Sequence, residues 1–320
     1  ISNGTLLSAK PLVIAREIKD YGASHKTDDV TEMYYADYLL YWLKTIKKSL
    51  TTPTYGSYLS KANLIAEYFR THGNPLVNEV TKKNIQDYVT YLSEVKKNGS
   101  KNIAHHRGII SSSFNYIEDE LEKNPVHKIS IPKKVKPKHV IRTADEIMKI
   151  IEYVLMNNDL TLAWAIYAGG FLSYRREESM GASWAFIDLD KGRISVYYTI
   201  TETFVKGEGN VLEIKDEGKT ADSIRSHQLD DFGIQLLSAI QKSQKYNMEI
   251  AGNSYNHKYD QFVMVDALGN IIMPETLSKR YIAVQRKMGY ENGNIQPIKD
   301  LRHSCASDLN SRGKTLKDIQ

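Results

Sequence analysis

The apolar residues of this chain keep a helical period along most of its length and change to strict alternation in one region, and that change limits the folds open to it. From Thr31, the residues Tyr35, Leu39, Trp42, Leu43 and Ile46 recur at three- and four-residue spacing and predict a first helix. A second is expected from Thr54 to His72, with Leu59, Ile65 and Phe69 on its apolar side and Gly73, Asn74 and Pro75 to stop it. A third starts behind Thr81, a good N-cap, and carries Ile85, Val89 and Leu92. Ser100 is expected to cap a fourth, running to about Glu122 through Ile103, Ile110, Phe114 and Ile117, with Asn124-Pro125 closing it. Further on, Thr143-Ala144-Asp145-Glu146 reads as a capping box, followed by helices over 143–156 and 159–183. Between Arg193 and Thr201 the pattern alternates at Ile194, Val196, Tyr198 and Ile200. Val211–Asp216 and Ser223–Leu229 read as the next strands, joined by a turn containing Gly218. Helices return over 230–248, 275–288 and 300–312, and another begins near Lys314. The expected fold is mainly α: a four-helix domain, then a mixed α/β domain with a small three-stranded antiparallel sheet.

The boundary between the two falls over His127–Arg142, where Pro132 and Pro137 stand among Lys128, Lys133, Lys134, Lys136 and Lys138. Prolines stiffen such a stretch and remove ladder donors, so an extended basic strap is expected. The domain assignment is 1–30 as a linker or the remnant of an upstream domain, 31–126 as the helical domain, 127–142 as the strap and 143–320 as the second domain. The chain opens on Ile1, so its natural start is expected upstream. The charge is divided unevenly. Residues 1–142 hold 22 Lys and Arg against 14 Asp and Glu, a net of +8, and residues 143–320 hold 21 against 24, a net of −3. A basic front half suits a polyanion, because each phosphate neutralised releases counterions.

Several chemistries are set aside by the sequence. There is no G-x-x-x-x-G-K-[ST] or G-x-G-x-x-G loop, no G-x-S-x-G elbow and no apolar run of membrane-spanning length. The single cysteine, Cys305, allows no intramolecular disulfide and no cysteine-rich metal site, and suits a reducing, cytoplasmic setting. No His, Asp or Glu cluster has metal-ligand spacing, and the adjacent His105 and His106 point to different sides of a helix. No cofactor is expected.

Three cation-bearing stretches remain. The first is Gly170-Phe171-Leu172-Ser173-Tyr174-Arg175-Arg176-Glu177-Glu178, followed by Gly181, Trp184, Ile187 and Asp188. The second is Lys219-Thr220 with Ser223, Arg225 and Leu229, at the tip of an expected hairpin where Lys215 is the runner-up lysine. The third is Lys299-Asp300-Leu301-Arg302-His303, with Ala306, Leu309, Gly313, Ile319 and Gln320 after it. In this order and at domain-scale spacing behind a basic helical domain, the stretches resemble the three motif boxes of the tyrosine recombinases, the family of phage and conjugative-transposon integrases. The resemblance covers about residues 31–320.

The resemblance implies a four-helix core-binding (SAM-like) domain ahead of a catalytic domain. It also implies an enzyme that cleaves and rejoins DNA through a 3′-phosphotyrosine and a Holliday junction. Arginine suits such a site because its planar fork can bind two phosphate oxygens at once. By resemblance, Arg175 and Arg302 would hold the nonbridging oxygens, Lys219 would protonate the leaving 5′-oxygen, and Lys299 would stand where the family usually has histidine. Lysine there can donate to phosphate but is a poorer general base near neutral pH. Ser173-Tyr174 replace the family's usual Gly-Leu before the first arginine. The family's later histidine or tryptophan and its nucleophilic tyrosine would fall beyond Gln320, so the catalytic domain is expected to be incomplete and this chain inactive on its own. Arg225 is expected to support the hairpin, Arg176 to be a surface cation, His303 to be a structural hydrogen-bonding residue with a role in the site as its alternative, and Cys305 a buried small one.

Two helices of the front domain are the expected DNA readers. One carries Thr54, Tyr55, Ser57, Tyr58 and Lys61, the other Ser100, Lys101, Asn102, His105 and Arg107 at a helix start that favours phosphate. Lys133, Lys134, Lys136 and Lys138 would follow the backbone from the strap. The expected partner is double-stranded DNA bearing recombination sites, with a homo-tetramer forming on it and a monomer off it, in the nucleoid of a bacterium or for a phage or mobile element. The rival readings are a non-catalytic DNA-binding regulator on the same fold and a type IB topoisomerase.

Overall fold

The computed structural model describes residues 29–121, 124–133, 139–205, 209–216 and 225–314. The expectations made for residues 1–28, for Lys134, Lys136 and Lys138, for Lys219, Thr220 and Ser223, and for Ile319 and Gln320 lie outside the described residues. The chain divides into two compact units, 1–136 and 137–320.

The first unit is helical. Helix α1 (Tyr35–Thr45) buries Tyr35, Tyr38, Leu39, Trp42 and Leu43, and α2 (Thr52–Thr71) starts with Pro53 in its first turn, where a missing amide hydrogen costs nothing. Gly73 and Asn74 at positive φ then turn the chain, as their sequence predicts. Helix α3 (Lys82–Glu94) is capped by Thr81, whose hydroxyl accepts from the Asn84 amide while the Asn84 side chain accepts from the Thr81 amide. Helix α4 (Ser100–Asn115) departs from expectation at both ends. Gly99 occupies the cap position and Ser100 is the first helical residue. The helix ends at Asn115, and a short 3-10 turn at Glu118–Glu120 replaces its expected last turns.

The core of this unit is built on aromatic rings. Tyr35 stacks on Phe114 at 4.9 Å and meets Phe69 edge-on at 4.8 Å. Buried tyrosines need partners for their hydroxyls. Tyr38 donates to the Ser113 carbonyl at 2.6 Å, and the Tyr88 hydroxyl lies 2.7 Å from Nδ1 of His106.

In the second unit, α5 (Ala144–Met156) begins with the expected box, Thr143 and Glu146 each accepting from the other's amide. The single helix expected over 159–183 is two: α6 (Leu160–Phe171) and α7 (Arg176–Met180). Between them Ser173 takes φ +59°, and the Tyr174 amide donates back to the Ala168 carbonyl. Apolar periodicity is blind to such a break, because nearly all of α6 is buried on every side. After this come β1 (Ile187–Asp188), β2 (Arg193–Val196), β3 (Tyr198–Val205), β4 (Gly209–Asp216) and β5 (Arg225–Gln228), then α8 (Asp231–Ala251), α9 (Pro274–Lys287) and α10 (Leu301–Ser311).

The unit is mostly helical with a small antiparallel sheet, as expected, but the strands are shared between two sheets. The run expected as one strand over Arg193–Thr201 divides at Tyr197. Its first half lies between β1 and β5 in a three-stranded sheet, with Ile194 opposite His227 and Val196 opposite Arg225. Its second half pairs, among the described residues, only with β4, with Thr201 opposite Glu213. The Tyr197 ring stacks on Phe186 at 4.1 Å and its hydroxyl donates to Asp216, which fixes the division. Gly181 lets the first box pass against β3: a side-chain carbon there would fall on the Tyr198 carbonyl oxygen. Among the described residues no helix is long and apolar enough to cross a membrane.

Candidate active site

Arg175 stands just ahead of α7, where its amide and its guanidinium both reach Glu178. The amide donates to Oε2 at 2.8 Å and Nη1 donates to Oε1 at 2.8 Å. The spacing is that of an N-terminal capping box, so the local helix start sets the arginine's place. Arg225 on β5 brings Nη2 to 2.7 Å from Glu178 Oε1. Arg302, in the first turn of α10, has Nη1 3.7 Å from Glu178 Oε2 and donates from the same nitrogen to the Ser173 carbonyl at 2.8 Å. One buried carboxylate thus gathers three guanidiniums from three distant segments.

The electrostatics follow from that arrangement. Burial would raise the Glu178 carboxyl, but the Arg175 amide and the Arg225 and Arg175 charges outweigh it and hold it below its ordinary value. Burial and the neighbouring Arg175 charge lower Arg302. Burial and Arg225 also lower His227, whose ring meets Tyr174 edge-on at 5.0 Å.

The other residues expected at this site are placed as follows. Lys299 lies in a 3-10 turn, Ile298–Asp300, exposed and with no ion pair among the described residues. Lys219 lies outside the described residues, and Lys215, its runner-up, pairs with Glu213 at 3.4 Å. Arg176 is tied to Glu177 and to the Ser278 hydroxyl. Cys305 is buried, and burial raises its thiol. His303 is exposed and has no hydrogen bond among the described residues, a correction to the structural role expected of it. Its ring lies 4.5 Å from that of His139 instead.

Sequence reasoning missed what holds α10 in place. Arg142, assigned to the strap, is buried: it donates to the Gln285 side chain at 2.9 Å and the Asn294 carbonyl at 2.7 Å, and its guanidinium covers the Tyr290 ring. Gln296, fully buried, donates to the Val140 carbonyl and to Ser304 Oγ, both at 2.7 Å. An arginine at the end of a lysine-rich strap gives no signal of burial; only its position next to a helix cap hints at it.

In the first unit, the structure brings the two expected reading helices together. Tyr58 on α2 meets His105 on α4 edge-on at 5.7 Å, and Lys61 lies 3.4 Å from Ser57 Oγ. Burial and the Lys61 charge lower His105. Thr54 bonds Thr51, and Tyr55 lies beneath Lys47. Ser100, Lys101 and Asn102 occupy the first turn of α4, with Ser100 inside the helix instead of capping it, and the Asn102 amide is committed to the Gly99 carbonyl. Arg107 is half-buried, its Nε without a partner among the described residues, and Lys133 is exposed.

Solved structures resemble this arrangement over most of the chain. The integrase of transposon Tn1549, in complex with a circular intermediate DNA, superposes with a TM-score of 0.69 at 15% identity, over 88% of this chain and 89% of that one. A lambda integrase dimer bound to a COC′ core site gives 0.60 at 18% identity, over 96% and 75%. The fold is that of the tyrosine recombinases. Lambda integrase residues bound to DNA give 0.59 at 18% identity, over 90% of each chain. No family model and no curated protein matches the chain.

Proposed function

We propose that this chain is the DNA-binding and catalytic part of a site-specific recombinase of the integrase type, acting on double-stranded DNA through a 3′-phosphotyrosine and a Holliday junction. The observation that carries this reading is the Glu178 cluster. Arg175, Arg225 and Arg302 are held within reach of one another by a single carboxylate, and the Arg175 side chain remains 61% exposed. A phosphodiester in its pentacoordinate transition state concentrates negative charge on its nonbridging oxygens, and fixed cations stabilise it without reorganising at the moment of reaction.

In this reading Arg175 and Arg302 hold the scissile phosphate, Arg225 keeps the cluster in register, and Lys299 donates to a phosphate oxygen. Lys219 protonates the leaving 5′-oxygen. The first unit binds the recombination site with Tyr55, Ser57, Lys61, Lys101, His105 and Arg107, the strap lysines follow the backbone, and four protomers assemble on two duplexes.

The test is covalent trapping. The product of the complete gene is incubated with a nicked suicide duplex, and denaturant-resistant protein–DNA adducts are counted. Adducts that disappear in Arg175→Ala and Arg302→Ala, while duplex binding persists, support the assignment. Adducts that persist in both variants overturn the site. Sequence-specific binding without adducts in the unaltered protein overturns the enzyme in favour of a DNA-binding regulator. Relaxation of supercoils without preference for sequence overturns it in favour of a topoisomerase.

A further inference from the structure

Beside the arginine cluster, the second unit gathers His139, Asp300 and His303, with one ligand atom from each lying within 4.8 Å of the others. Asp300 is buried and the two histidines are exposed. His139 Nδ1 is 3.1 Å from Asp300 Oδ2, and the two imidazole centres are 4.5 Å apart. The other carboxylate oxygen, Asp300 Oδ1, is fully enclosed and has no hydrogen-bond partner among the described residues. Asp300 adjoins the start of α10, yet its side chain caps no amide there. A buried carboxylate that neither caps its helix nor satisfies both oxygens is a costly arrangement unless something else is bound.

We propose that His139, Asp300 and His303 form a binding site for a divalent transition metal of the zinc class. Two imidazoles and one carboxylate are the donor set that Zn²⁺ and its neighbours prefer over Mg²⁺, which seeks oxygen ligands and keeps its waters. The spacing agrees. Ligands about 2.0–2.1 Å from a tetrahedral ion lie roughly 3.3 Å from each other, and the His139–Asp300 pair already stands at 3.1 Å. Rotation of the exposed His303 ring closes the third side. The fourth position faces solvent, because both histidines are exposed. Bound metal would tie the start of the second unit to the turn that carries Lys299, just ahead of α10, and a carboxylate held through both oxygens would satisfy Asp300 Oδ1 as well as Oδ2.

The probe is Co²⁺, whose ligand-field absorption reports low-coordinate nitrogen and oxygen ligation, with Zn²⁺ as competitor. Metal-stripped protein is titrated with Co²⁺ near neutral pH, and thermal unfolding is recorded with and without Zn²⁺. The site requires one equivalent of Co²⁺ to develop the absorption, Zn²⁺ to displace it, Mg²⁺ not to, and Zn²⁺ to raise the unfolding temperature. His139→Ala and His303→Ala each weaken Co²⁺ binding by more than about tenfold, with the far-ultraviolet spectrum of the metal-free chain unchanged. His257→Ala is the control: it removes a surface His–Asp pair of similar geometry, His257 with Asp260 at 2.8 Å, and leaves binding intact. If either variant does not fold, the conservative His→Gln replacement takes its place. No absorption in the unaltered protein, displacement by Mg²⁺, or equal binding by His303→Ala overturns the proposal.

Discussion

Replacing Glu178 by glutamine tests the central claim about the arginine cluster. The amide side chain would keep an oxygen for the Arg175 backbone N–H and lose the charge that Arg175, Arg225 and Arg302 share. Removing one member of a buried ion pair costs about 3–5 kcal/mol, because the other is left uncompensated. Here the cations are partly open to water, their side chains 61%, 33% and 23% exposed against 6% for Glu178, so the low end applies. A loss of about 3 kcal/mol in a unit of this size lowers the unfolding midpoint by roughly 6–12 °C. Calorimetry at neutral pH reads this directly, with Glu177→Gln alongside. Among the described residues Glu177 pairs with Arg176 alone, and both side chains are half-buried at 32% and 26% exposed, so its loss strands one partly hydrated cation instead of three and lowers the midpoint less. The pH dependence has a fixed sign. Glu178 is held below its ordinary value, so its contribution is complete above the ordinary carboxylate range and fades as pH falls through the lowered one. The gap between the two proteins therefore narrows in acid. A Glu178→Gln midpoint no lower than that of Glu177→Gln, or a gap that widens on acidification, refutes the reasoning.

Ser173→Gly should stabilise the second unit by about 1 kcal/mol, because it relieves the left-handed backbone at φ +59° while leaving the carbonyl that receives Arg302; urea unfolding measures it. Gly181→Ala should destabilise the same unit by about 3 kcal/mol or prevent its folding, since the added carbon meets β3 backbone rather than a movable side chain, and soluble yield with urea midpoint reports either result. His106 is pushed down to about 4 by burial first, then by Lys61 and His105. The unfolded chain therefore takes up the proton first, and the first unit should keep its full stability above pH 6.5 and lose about 3 kcal/mol as pH falls to 4. His106→Asn should flatten that slope in urea melts across the same range.

How much of this was legible in the sequence depended on how local the determining forces are. The Thr81 cap and the Thr143 box are set within four residues, and both stand where the sequence put them. The turn at Gly73-Asn74 is local too. Ser173 shows the limit of that reading. The tyrosine recombinase pattern has glycine at this position, and the structure keeps a left-handed backbone there with a serine, so the conformation is held by α6 and by Arg302 rather than by the residue's own preference. The division of the sheets at Tyr197 depends on which strand each half meets, and alternation along one segment says nothing of its neighbours. His139 and His303 are far apart in the chain, so no spacing rule could join them.

The same distinction separates the two kinds of residue at the arginine cluster. Arg175 and Arg302 fall in register with the motif boxes that the chain resembles, and that resemblance singled them out. Glu178 was only a matching letter in the first box. Yet three guanidiniums do not gather around empty space, because burial and then mutual repulsion oppose it, the two leading causes that lower Arg302. The anion is placed locally by the helix start at Arg175: the carboxylate three residues on accepts from the Arg175 amide at 2.8 Å, a bond that needs no distant segment. Arg225 and Arg302 come from distant segments to a charge so fixed. Three cations against one carboxylate leave two positive charges unbalanced, and Arg175 is the most exposed of the three; the proposed phosphate contact rests on that excess charge.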